Sequence, residues 1–122
     1  MAVLTRSEAL APPRRLRVRP LRRWFGLSQE QFARVLGTSR PTLQRWEVRS
    51  TGPEPNSAEG RLVAAAAEVQ QMAVRVFGPR HGRAWFRDPA PTLGGKTPLD
   101  ILVSRGPIPV RDLLRDADDS GY

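Results

Sequence analysis

The stretch from Leu27 to Glu47, LSQEQFARVLGTSRPTLQRWE, constrains the fold of this chain more than any other. Ser28 suits a helix N-cap, and Gln31 three residues on completes a capping box. Phe32, Val35 and Leu36 follow at helical spacing. Gly37 stands where a helix can end in the left-handed conformation, which glycine adopts at little cost. Ser39 opens a second helix, with Pro41 in a first turn whose amides have no intrahelical partner anyway. Leu43, Trp46 and Val48 are expected to face inward, with Thr42, Gln44 and Arg45 on other faces. Glu47 is expected in a structural ion pair or cap contact.

The remaining segments read as further helices. Met1–Pro13 is expected to be flexible, closed by Pro12 and Pro13. Arg14, Arg15, Arg17, Arg19, Arg22 and Arg23 form a basic run, and Leu16–Phe25 predicts a helix with Pro20 in its first turn. Thr51–Ser57, with Gly52, Pro53 and Pro55, reads as a loop. Arg61–Phe77 carries Leu62, Ala66, Val69, Ala73 and Val76 in steps of four and three, a stripe that serves either the core or a dimer seam. Gly78 and Pro79 are read as its stop. Arg83–Arg87 predicts one more helical turn anchored by Trp85 and Phe86, and Asp88–Gly95 an irregular stretch. Thr97 caps a helix with Pro98 at its first position and Asp100 in a capping-box position. Leu99, Ile101, Leu102 and Val103 form its core face, and Gly106 and Pro107 close it. Val110–Leu114 is a last short helix before a polar tail, Ala117–Tyr122. No segment alternates long enough for a strand, so the class is all-α.

Charge is distributed unevenly along the 122 residues, whose formal net charge is +8. Met1–Ser50 hold eleven Arg against three Glu, whereas Asp88–Tyr122 hold four Lys or Arg against six Asp. A cationic half suits phosphates and an anionic half avoids them, so the two halves imply two tasks. Hydrophobic content of 39% supports a modest core, and two halves of about 60 residues would lean on each other or on a second copy. The absence of cysteine excludes disulfides and thiolate metal sites and suits the cytoplasm. Apolar runs such as Leu62–Ala67 fall far short of the roughly 18 residues of a membrane span, and the first residues lack a signal-peptide pattern.

Enzyme chemistry finds little support. His81 is the one histidine and is read as a loop residue. A lone histidine without cysteine supplies neither a usual metal cluster nor a cysteine–histidine pair. Gly94-Gly95-Lys96-Thr97 lacks the glycine spacing of a phosphate-binding loop. The C-terminal aspartates are spaced as a solvated face. No catalytic residue, metal or cofactor is expected.

Two short helices across a tight turn form a device for lodging the second helix in the DNA major groove. Ser28-Gln29-Glu30, Phe32-Ala33, Leu36-Gly37, Ser39, Thr42-Leu43 and Trp46-Glu47 together resemble the Xre (Cro/repressor-type) helix-turn-helix family. Thr38 departs from its usual aliphatic residue, and the glycine that follows the Trp-Glu pair closely in many members waits here until Gly52. The resemblance implies an Xre-like bundle over residues 14–78. Ser28, Gln29 and Ser39 would lie at helix N-termini facing DNA, and Arg40, Thr42, Gln44 and Arg45 at the groove. Arg45 would meet either a base or a phosphate, and Arg49 and the basic run would hold phosphates. Such proteins usually bind as dimers to half-sites about 34 Å apart.

Residues 79–122 resemble a second family. Trp85-Phe86, Pro89, Pro91, Leu93-Gly94-Gly95, Thr97-Pro98-Leu99, Leu102, Gly106, Val110, Leu113-Leu114 and Gly121 are similar to the toxin-binding domain of Xre/MbcA/ParS antitoxins. The resemblance implies a small helical domain that neutralises a RES-domain toxin, a family that consumes NAD, within a homodimeric complex that represses its own operon. Toxin contacts are expected at Trp85, Phe86, Leu93, Lys96, Arg111, Arg115, Asp118, Asp119 and Tyr122. Two other readings stay open: a stand-alone repressor whose C-terminal segment dimerises or senses something else, and an antitoxin that no longer binds DNA.

Overall fold

The computed structural model describes residues 14–119. The flexible N-terminus expected at Met1–Pro13 and the toxin contact expected at Tyr122 lie outside the described residues. Seven α-helices and no strand occur among the described residues: α1 Val18–Phe25, α2 Gln29–Leu36, α3 Arg40–Val48, α4 Ala58–Phe77, α5 Pro79–Trp85, α6 Pro98–Arg105 and α7 Pro107–Asp119, with a 3-10 turn at Pro91–Leu93.

Local chemistry sets most of the boundaries. Ser28 caps α2 through a capping box in which its hydroxyl accepts the Gln31 N–H and the Gln31 side chain accepts the Ser28 N–H. Gly26 and Gly37 end α1 and α2 in the left-handed conformation. Thr97 and Asp100 form a second capping box at α6. The Thr97 backbone N–H donates to Asp100 and holds its carboxyl below the usual range. Two boundaries differ from expectation for one reason. Gly78-Pro79 and Gly106-Pro107 end one helix and immediately begin the next. Glycine takes φ of 88° and 87° there, and proline occupies a first turn that needs no N–H. His81 therefore lies on α5 rather than in a loop, and Ala117–Asp119 are helical rather than a tail.

α4 is the axis of the molecule. Val63, Ala66, Val69, Met72 and Ala73 bury its inner face, one position off the predicted stripe in places, with Leu62 and Val76 half-buried. α5 and α7 pack along it, α6 joins α7 to α2, and α1 and α3 close the other end. Gly82 of α5 is buried where that helix crosses α4, and a Cβ there would lie 2.7 Å from the Ala73 carbonyl oxygen. Backbone cannot yield as a flexible side chain can. Gly82→Ala is therefore expected to cost about 1–3 kcal/mol from overpacking, less roughly 1 kcal/mol recovered in helix propensity. The check is a lower urea midpoint at unchanged m-value.

The two predicted modules share one core. Buried residues from Val18 to Leu114 form a continuous cluster. Phe86, 2% exposed, stands edge-on to Phe25 at 5.1 Å and to Trp24 at 5.7 Å. Trp85 stacks on Phe77 at 5.6 Å. The last carbonyls of a helix lack intrahelical donors. Here Arg83 Nε donates to the Trp24 carbonyl at 3.0 Å, and Arg87 Nη2 to that of Phe25 at 3.2 Å. Cations from the second module thus finish the C-terminus of α1 in the first, where the helix dipole favours positive charge.

Candidate functional site

α3 is held from beneath by one charged residue. Glu47 is buried, and it accepts from Arg22 Nε at 2.7 Å, Arg22 Nη2 at 2.9 Å and Gln29 Nε2 at 3.3 Å. Arg22 also donates to the Leu27 carbonyl at 3.0 Å. Three elements, α1, α2 and α3, are thus tied at one carboxylate. Burial pushes the Glu47 carboxyl upward. The hydrogen bonds from Arg22 and Gln29 and the charges of Arg22 and Arg19 outweigh it and leave the carboxyl below its ordinary value.

With Leu43 and Glu47 turned inward, four residues apart, the opposite side of α3 faces solvent. Val48, expected inward, is 78% exposed, because Glu47 takes the buried position next to it. Trp46 is half-buried against the core. Arg40, Gln44, Arg45 and Arg49 are exposed. Among the described residues, none of Arg40, Arg45 and Arg49 has a carboxylate within ion-pair distance. The Ser39 hydroxyl caps α3 by accepting the Thr42 N–H and donates to Thr42 Oγ1 at 2.9 Å. Thr42 Oγ1 in turn accepts from Arg45 Nη2 at 3.1 Å, which fixes the direction of that guanidinium. Gln29 is half-buried, with its amide committed to Glu47, and Ser28 is exposed with its hydroxyl committed to its cap. A shallow depression on the outer face of α3 is lined by Pro41, Gln44, Arg45, Val48 and Arg49.

A second, cationic cleft of about 410 Å³ lies at the end of α3, with Arg17, Arg19 and Arg23 on one side and Ser50 and Thr51 on the other. In the sequence these arginines stand only as a run; their convergence on the α3 exit is visible in the fold alone. That exit has an unusual corner. The Thr51 N–H returns to the Trp46 carbonyl and the Ser50 N–H to that of Glu47, with Ser50 left-handed at φ 52°. This is a Schellman motif with serine in the position that glycine occupies more cheaply. The missing glycine after Trp46-Glu47 therefore leaves the turn intact at a conformational cost. Ser50→Gly is expected to raise stability by about 0.5–1 kcal/mol, relief of the left-handed penalty outweighing the added chain entropy. Thermal unfolding reads this as a gain of a few degrees.

The other end of the molecule carries a groove of about 660 Å³ between the Asp88–Leu93 stretch and α7. Half-buried Trp85, Leu93 and Leu113 line it, with exposed Asp88 and Asp116 at its edge. Of the expected toxin contacts, Trp85 and Leu93 meet in this groove. Lys96, Arg115, Asp118 and Asp119 are exposed. Phe86 lies in the core, so its side chain is not offered to a partner. Arg111 is half-buried and pairs with Glu68 of α4 at 3.7 Å, a bridge between α7 and α4. Leu113, Asp88 and Asp116 were not anticipated. Leu113 belongs to the string of residues that carries the resemblance, and only the packing of α7 brings it to the groove. Among the described residues, no cluster of His, Cys, Asp and Glu could hold a metal ion, and no helix is long and apolar enough to cross a membrane.

Two family models match this chain. Residues 18–59 match a helix-turn-helix family, and residues 72–118 match the antitoxin Xre/MbcA/ParS C-terminal toxin-binding domain. No curated protein matches the sequence. The fold resembles a chain in the crystal structure of the M. tuberculosis MbcT–MbcA toxin–antitoxin complex, with a TM-score of 0.55 at 17% identity, over 86% of this chain and 93% of that one. A helix-turn-helix module built around α2 and α3 is thus followed by a C-terminal domain of the Xre/MbcA/ParS toxin-binding type, the domain arrangement of an Xre/MbcA/ParS-type antitoxin.

Proposed function

We propose that this antitoxin neutralises a RES-domain, NAD-degrading toxin through its C-terminal helices and, as a homodimer, represses its own operon in the cytoplasm. The observation that carries the reading is the fusion itself: a helix-turn-helix matched over residues 18–59 joined to a toxin-binding type of domain matched over 72–118. The distribution of charge supports it. The α3 face offers phosphates and base edges exposed arginines that have no carboxylate partner among the described residues, whereas the α5–α7 groove is apolar with carboxylates at its edge.

In this reading α3 enters the major groove. Arg40 and Arg45 meet guanine edges, and Arg49 and the cationic cleft meet the flanking phosphates. The first amides of α2 and α3 point their partial positive charge at the DNA backbone. A single copy would bind weakly, so two copies on half-sites one helical turn apart give the affinity a repressor needs. On the toxin side, a pocket that accepts the phosphates of NAD is basic. The acidic end of α7, Asp118 and Asp119, would compete for it while Trp85 and Leu93 anchor the groove.

The test is co-expression of the full-length chain with a RES-domain toxin, taken from the frame adjacent to its gene if that frame is of RES type. Survival of cells that otherwise die, lost when Asp118–Tyr122 are deleted, is the expected result. Rescue without the last five residues would discard the acidic competition and keep neutralisation. No rescue, with operator binding intact, would leave a plain repressor.

A further inference from the structure

Pro41 suits the first turn of α3, which needs no N–H from it, and at the same time sets an apolar ring on the outer face of that helix. It is exposed at the second position of the helix, within the turn that a helix-turn-helix presents to base edges. It lies four residues before Arg45 on the same face, about 6 Å along the axis, or just under two base-pair steps. Pro41 and Val48 form the two apolar ends of the depression, with Gln44 and Arg45 between them.

The Arg45 guanidinium is positioned by Thr42, itself positioned by Ser39. Pro41 is fixed by its own ring. The two residues therefore present a rigid pair to whatever docks there: one bidentate cation and one apolar plate. A pyrrolidine ring has no donor and no acceptor. The one apolar feature in the pattern of base edges in the major groove is the 5-methyl group of thymine.

We propose that Pro41 is a specificity-determining residue, seating the methyl group of a thymine one or two base pairs from the guanine read by Arg45. The proposal rests on the DNA-binding reading above and adds a base to it. Val48 lies about two turns along, at the other apolar end of the same depression, and serves as the control position.

The experiment uses the full-length chain and duplexes enriched by it from a randomised pool. Each thymine of the enriched site is replaced in turn by deoxyuridine, which differs only by the methyl group. Binding is followed by fluorescence anisotropy at fixed salt. One thymine per half-site is expected to be sensitive, with a loss of about three- to fivefold, the effect of one buried methyl. In Pro41→Ser, exposed and expected to fold normally by circular dichroism, that sensitivity disappears. In Val48→Ala it persists. An enriched site indifferent to uracil, or one whose uracil sensitivity survives in Pro41→Ser, overturns the proposal and leaves DNA binding standing. Loss of the sensitivity in Val48→Ala instead moves the contact to the other end of α3 and equally overturns it. Failure to enrich any sequence removes the DNA-binding reading itself.

Discussion

Glu47→Ala is expected to destabilise the protein by about 3 kcal/mol, at the lower end of the range for breaking a buried pair. For a domain of this size that corresponds to a fall of roughly 10 °C in Tm. Removing the carboxylate strands Arg22, whose side chain is 17% exposed, and leaves the Gln29 amide without its acceptor. The penalty therefore comes from the partners left behind more than from the attraction lost. Glu47→Gln keeps the shape and one acceptor, so it should fall between wild type and Ala. The acid limb of the stability curve separates charge from shape. Glu47 has a folded-state pKa below its ordinary value of 4.5. Its contribution is therefore complete above that value and is lost as pH falls through the folded pKa. The wild type should lose this increment on acidification, whereas Glu47→Gln should lack that part of the slope. Chemical denaturation at pH 7 and at pH 3 measures both.

The same residue shows what was legible in the sequence. Glu47 could be assigned to a structural ion pair from its place beside Trp46 in the motif. Its partner could not, because Arg22 stands among six arginines between Arg14 and Arg23 that are equivalent on paper. Only the approach of α1 to α3 selects it. The helix caps were legible because they are local: Ser28, Gly37, Ser39 and Thr97 each act within four residues. Val48 is exposed although its hydrophobicity argues for burial, because the position beside it is taken by a paired carboxylate. Gly78-Pro79 and Gly106-Pro107 read as stops, yet the same two residues serve equally as the entry to a following helix, and sequence alone does not say that a helix follows immediately. The union of the two modules is half legible: halves of this size are expected to lean on each other or on a second copy, but the sequence does not say which side chains join them. Phe86 reads as an exposed aromatic of a small domain until Trp24 and Phe25 are brought against it.

Loss of DNA affinity in the Arg40→Ala, Arg45→Ala double variant should be the largest functional effect of any change on the α3 face. A bidentate base contact is worth about 1–3 kcal/mol, so two contacts that add give roughly 30-fold to more than 1,000-fold for the best site. Both side chains are exposed and neither has a carboxylate partner among the described residues, so the fold should survive their removal. The single variants should differ in kind. Arg45 is oriented by Thr42, and an oriented guanidinium at the centre of the outer face suits a base. Arg45→Ala should therefore lose discrimination between the enriched site and random DNA. Arg49, at the helix end beside the cationic cleft, suits phosphate, and Arg49→Ala should weaken both duplexes alike and reduce the salt slope by about one unit. Titrations of each variant against both duplexes at several salt concentrations decide it. If Arg45→Ala lowered affinity evenly while Arg49→Ala removed sequence preference, the roles assigned to the two arginines would be exchanged; if neither variant changed affinity or preference, the outward face of α3 would not be the surface that reads DNA. The shared core then makes a further comparison informative. Arg87 reaches the end of α1 from the toxin-binding segment, so Arg87→Ala lies far from the bases by chain yet adjoins the helix that carries Arg22. A fall in DNA affinity there, without the discrimination loss of Arg45→Ala, is what a scaffold shared by both modules requires.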